Sequence, residues 1–117
     1  MKNLWLKNPE KHDFPAANDF LELLFSTTKA KGFVDNLKEA NTVNKKAKDI
    51  LRASEMQLLP KNNIHVKENI KKSKDGIMLS PILLVRSENK LIIADGYHRL
   101  CAIYYLSEDL EVPCRIV

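Results

Sequence analysis

Between Pro81 and Tyr104 the hydrophobic period of the chain switches from strand-like to helical, and this constrains the fold more than any other feature. Pro81-Ile-Leu-Leu-Val85 and Leu91-Ile-Ile-Ala94 are short apolar runs separated by the polar stretch Arg86-Ser-Glu-Asn-Lys90. Such runs read as two buried strands joined by a hairpin loop. Asp95-Gly96 breaks the second strand, after which Tyr97, Leu100, Cys101 and Tyr104 recur at helical spacing. A strand that runs through glycine into an amphipathic helix belongs to a mixed architecture, so the expected class is α+β.

The flanking segments fit that class. Asp13-Phe-Pro15 offers a cap and an early-helix proline ahead of Phe20, Leu21, Leu23, Leu24 and Phe25, which predicts a helix to about Ser26. A second helix is expected after Thr28, with Phe33, Val34 and Leu37 on one face and Asn41 as a stop. Lys48-Asp-Ile-Leu-Arg-Ala-Ser54 is too short for periodicity to choose between strand and helix. Asn62 or Asn63 can cap a helix through Val66 and Ile70 that Gly76 would end. Glu111-Val-Pro-Cys-Arg-Ile-Val117 reads as a closing strand, and Pro113 places it at or near a sheet edge. Residues 1–44 are thus an N-terminal helical segment of the same domain, and residues 45–117 carry its core.

The chain has 117 residues, 44% hydrophobic and 29% charged, the balance of one ordinary domain. No apolar run approaches the ~20 residues of a membrane helix, and Met1-Lys-Asn-Leu-Trp5 has no secretory hydrophobic region. The protein is expected in the cytoplasm, or delivered without a Sec signal, and away from membranes. Two cysteines, Cys101 and Cys114, are too few for a disulfide framework and are expected as reduced thiols.

The net charge of +4 is unevenly spread. Residues 45–74 hold nine Lys/Arg against three acids, whereas residues 1–44 are balanced. A basic stretch marks either an acidic partner or a solvated face. Nucleic acid is disfavoured, because no Phe, Tyr or Trp lies between Val34 and Gly96 to stack on bases. Phosphate-only contacts through Lys45, Lys46, Lys48 and Arg52 remain as the basic alternative.

The segment with chemical content is Ile92-Ile-Ala-Asp-Gly-Tyr-His-Arg99. A strand entering a helix through glycine leaves backbone N–H groups free at the turn, an arrangement that binds anions. Asp95, Gly96, Tyr97, His98 and Arg99 are therefore the candidate anion or nucleotide site, with Lys48 and Arg52 as accessory cations. Gly96 permits close approach, Asp95 caps or binds a hydroxyl or metal, His98 donates or moves protons, and Arg99 forks onto phosphate or carboxylate. In the competing reading Asp95 only caps, Tyr97 packs, and Arg99 pairs with an acid such as Glu108 or Asp109. The turn and Arg99 would hold a lone phosphate no better than millimolar, since ~5–8 kcal/mol of contacts meets association costs of at least ~4 kcal/mol. His98 and Cys101 with Cys114 or His65 match no standard zinc spacing, so no metal site is expected.

Gly76-Ile-Met-Leu-Ser-Pro81-Ile-Leu-Leu-Val85, followed by Ile93-Ala-Asp-Gly-Tyr-His-Arg-Leu-Cys-Ala102, resembles the ParB/sulfiredoxin superfamily over residues 45–117. The resemblance implies a small mixed sheet packed by helices, and a turn at Gly96 to Arg99 that holds nucleotide phosphates. The departures from the superfamily are specific. Its sulfiredoxin-type reductases carry a reactive cysteine just after the glycine, where this chain has Tyr97. Its partition proteins continue into a helical DNA-binding domain, which the residues after Arg99 do not supply. Its free-serine kinases are similar at Asp95-Gly-x-His98-Arg99 but use an upstream acid, and Pro60-Lys-Asn-Asn-Ile-His-Val66 offers only His65 in its place.

The expected function is accordingly a non-catalytic binding module that acts by protein–protein interaction, with a homodimer as one form of it and no catalytic residue. The Lys- and Asn-rich composition also resembles small bacterial inhibitors of effector ubiquitin deamidases, which implies docking on an enzyme and covering its site. Trp5 is the candidate interface anchor if it is exposed. The alternative is a nucleotide-dependent enzyme, a phosphotransferase or hydrolase, that uses the turn as a phosphate site with a nucleotide and Mg as cofactor.

Overall fold

In the computed structural model, which describes residues 3–117, the chain runs α1 (Asp13–Leu21), α2 (Thr27–Glu39), β1 (Val43–Lys46), α3 (Ala47–Ser54), α4 (Ile64–Lys74), β2 (Ile82–Arg86), β3 (Leu91–Asp95), α5 (Tyr97–Leu106) and β4 (Glu111–Ile116). The strands form one mixed sheet in the order β1-β4-β2-β3. β1 and β4 are antiparallel, β4 and β2 parallel, and β2 and β3 antiparallel.

Side-chain alternation along the strands sorts the core into two faces. Leu83, Val85, Ile92 and Ala94 pack with Ala17 and Leu21 of α1 and with Ala30, Val34 and Leu37 of α2. Ile82, Leu84, Val112 and Cys114 face the other way, onto Ile50 of α3 and Leu100 and Ile103 of α5. α4 adds an outer layer on α5 through Val66, Ile70, Cys101 and Ala102. β2 is buried on both faces, which explains its unbroken apolar run. α1 and α2 are therefore one of the two helical layers, and without them a whole sheet face would be open to water.

Local signals decide the element ends. The Asn63 side chain accepts from the N–H groups of His65 and Val66, which starts α4. Gly76, at φ +80, follows its end. The ambiguous Lys48–Ser54 stretch is helical because Ala47, Ile50 and Ser54 then share one buried face. Asp13 is not the cap of α1. It is the first helical residue, and its carboxylate turns back to accept from the Glu10 N–H at 2.9 Å.

β4 lies near a sheet edge, as Pro113 suggests, but not at it. It lies between β1 and β2, because the polar Val43–Lys46 stretch forms a strand that apolar patterning does not reveal. The proline is tolerated for a simple reason. Pro113 pairs with Asn44 of β1, while the ladder to β2 begins one residue later at Cys114. On the β2 side the proline has no strand partner to disappoint.

Among the described residues no helix is long and apolar enough to cross a membrane. Both cysteines are unpaired and buried. Burial raises the Cys101 thiol and pushes Cys114 to about 11, so neither is a ready nucleophile.

Candidate functional site

Gly96 sets the geometry of the turn. Its φ of +111 lies in the left-handed region, and a Cβ there would sit 2.9 Å from Ile82 Cγ1 and 3.0 Å from Arg99 Nη2. Only glycine lets β3 pass this close to β2 before α5 begins. Just ahead of it, Leu83 pairs with Asp95 and Leu84 with Ile93, so Ala94 is the extra residue of a bulge.

Arg99 is one helical turn into α5, as the sequence predicts, but its guanidinium is engaged. Nη2 donates to Asp95 Oδ2 at 2.9 Å and to the Pro81 carbonyl at 3.2 Å. Both side chains of the pair are only 17% exposed, and the buried Nε has no partner among the described residues. The acid that pairs with it is Asp95, not Glu108 or Asp109. Asp109 instead binds Lys48 at 2.7 Å, and Glu108 accepts from Tyr104.

A second carboxylate joins this pair from the N-terminal segment. Asp13, 2% exposed, acts on Asp95 through its charge. Burial lifts Asp95 above its ordinary carboxylate value, Arg99 pulls it back, and Asp13 adds to the rise. His12 Nε2 stands 3.0 Å from Glu10 and 3.5 Å from Asp13. Glu10, His12 and Asp13 are the group among the described residues whose ligand atoms converge most like a metal set, all within 4.8 Å, with two of the three exposed. Asp13 as a helix cap would give no sign in the sequence of joining Glu10 and His12.

Tyr97 and His98 have partners outside the Arg99 pair. The Tyr97 hydroxyl donates to the Gln57 carbonyl, and Tyr105 donates to the Leu59 carbonyl at 2.6 Å. These bonds tie the loop between α3 and α4 to α5. His98 meets His65 of α4 with ring centroids 4.9 Å apart, so the residue expected as a substitute base does come to the turn. Burial, then His65, then Arg99 hold His98 below its ordinary value.

Lys48 and Arg52 are not brought to this turn. They line a separate shallow groove with Tyr104, and Arg52 is bonded to Asp49 on its own helix. Trp5 is not an exposed anchor either: it is 8% exposed, bridges Leu79 and belongs to the core.

In front of Gly96 lies a cavity of about 410 Å³. Its floor is the run from Lys90 to His98. One wall is Ala16 and Phe20 on α1 with Leu24 just beyond, and the other is Ser54 at the end of α3 and Met56 just after it. Phe20, Leu24 and Met56 are 41%, 53% and 43% exposed, large apolar groups left uncovered around one groove. The signal for this was in the sequence: Phe20, Leu21, Leu23, Leu24 and Phe25 are too closely spaced for one helix face to bury them all.

No protein-family model, no curated protein and no solved structure matches the chain.

Proposed function

We propose that the chain is a non-catalytic binding module of ParB/sulfiredoxin-like fold that acts in the cytoplasm by protein–protein interaction through the groove along β3. The observation that carries this reading is the cluster of exposed Phe20, Leu24 and Met56 around one groove. A surface of this kind gains most from removing apolar area from water, about 25 cal/mol per Å² buried, and large apolar side chains are what protein interfaces bury at their centres. An enzyme whose site the module covers, such as a bacterial effector ubiquitin deamidase, is the partner class that the chain's resemblances suggest.

The nucleotide-dependent alternative is less well supported, because the guanidinium it needs for phosphate is already shared between Asp95 and the Pro81 carbonyl. A photo-reactive amino acid at position 24, used in cells that express the chain naturally, tests the reading. The expected result is one discrete adduct with an identifiable protein, lost when Phe20→Asp is added. Adducts equal to those formed from a remote position such as Lys31 would refute it.

A further inference from the structure

We propose that the groove takes an extended segment of the partner protein, which pairs with the outer edge of β3 as a fifth strand of the sheet. This rests on the protein-binding reading above and specifies how the partner is held.

β3 is the last strand on its side of the sheet, so its outer main-chain groups have no strand partner. The groove runs along that edge, with the consecutive residues Lys90 to His98 as its floor. Exposed edges are usually blunted by charge or proline along the strand. Here Leu91-Ile-Ile-Ala94 carries neither, and the single charge, Asp95, sits at the end and is paired with Arg99. The bulge at Ala94 limits the regular edge to its first residues, so the guest ladder is short and side-chain burial must supplement it.

The walls fix what those side chains are. A guest strand points alternate residues to opposite faces. One set meets Phe20 and Leu24, the other meets Met56 and Tyr97. Both sets must then be apolar. Lys90 also lines the groove, and its charge suits an acidic residue flanking the guest's apolar run.

The recess selects a single strand over bulkier occupants. In a second copy of this chain β3 lies just as deep between its own walls, so two such edges cannot approach to the ~4.8 Å of a ladder. A helix, ~10 Å across with its backbone bonds already made, would leave the edge groups unpaired.

Random octapeptides displayed on phage, selected on the full chain and counter-selected on Leu24→Asp, test the inference. The expected winners carry an apolar run with an acidic flank, and N-methylation at alternate guest residues weakens synthetic copies about tenfold or more. The Leu91–Ile93 amides should also gain protection from hydrogen exchange when such a peptide binds. Peptides that bind helically, or that tolerate every N-methyl group, would overturn strand pairing and leave the binding reading intact if the crosslink at position 24 is seen. Groove variants that change only self-association would overturn it in favour of a dimer. Neither peptide enrichment nor a crosslink would remove both.

Discussion

Asp95 at the end of β3 is held by Arg99 of α5 at 2.9 Å, and the buried Asp13 in the first turn of α1 adds to the rise of its carboxyl. With the Asp95 carboxyl raised, the folded chain holds a proton that the unfolded chain releases above 3.8. Stability from this group is therefore full below that value and is lost as pH rises through the higher folded value. Asp95→Asn removes that loss. Urea melts from about pH 4 to about pH 7 should show wild type falling relative to the variant across the lower part of the range. Parallel curves would mean that the Asp95 carboxyl titrates alike in the folded and unfolded chain.

Gly96→Ala places a Cβ against Ile82 Cγ1 at a φ of +111. Left-handed strain alone costs roughly 1–3 kcal/mol, and displacement of Ile82 adds to it. A fall in Tm of roughly 5–15 °C is expected by calorimetry. A fall of a degree or less would show that the turn relaxes freely and that its close approach to β2 has no structural weight.

How legible this arrangement was in the sequence depends on whether a residue's partners were near it. The β2–β3 hairpin, the Gly96 break and the Asn63 cap rest on neighbours within a few positions, and patterning found them. β1 was invisible because Val43-Asn-Lys-Lys46 is exposed throughout and carries no alternation. Its existence moved β4 into the interior despite Pro113. The α+β class was likewise readable, since a change of period needs no tertiary knowledge. Asp13 beside Asp95, and His65 beside His98, are meetings created by tertiary packing, and no spacing rule announces them. The groove was half legible: too many adjacent apolar residues after Phe20 showed that some must stay exposed, but not that Met56 would join them across β3.

His65 and His98 form a pair whose charges compete. Because His98 is held below 6.5, the unfolded chain binds its proton first as pH falls. Stability from a neutral His98 is present above 6.5 and is lost as pH drops towards the lower folded value. His65→Gln removes one of the repelling groups, so the His98 midpoint should move upward when followed by NMR of the imidazole carbon-bound protons. An unchanged midpoint would assign the whole depression to burial and Arg99.

Tyr97→Phe deletes the hydroxyl that holds the Gln57 carbonyl. A single such bond is worth about 0.5–1.5 kcal/mol, and the freed carbonyl can turn to water, so the fold should survive with a small loss. The larger effect should be local. Amide exchange at Gln57 to Leu59 is expected to quicken, and affinity at the groove to fall because Met56 is no longer held in place. If exchange in that loop is unaltered, Tyr105 alone secures it.

Arg99 gives the sharpest contrast between a structural pair and a phosphate cradle. Removing one partner of a fully buried ion pair costs ~3–5 kcal/mol, and partial exposure of this one lowers the figure to about 2–3. A residue kept for phosphate would behave oppositely: its loss would spare the unliganded fold and abolish a nucleotide-dependent rise in Tm. Arg99→Ala is expected to melt well below wild type in plain buffer, because Asp95 then stays buried beside Asp13 without a counter-charge. ATP, ADP and CTP with magnesium are expected to leave the wild-type Tm unchanged. A nucleotide-dependent rise in wild type that Arg99→Ala abolishes would return the turn to phosphate chemistry.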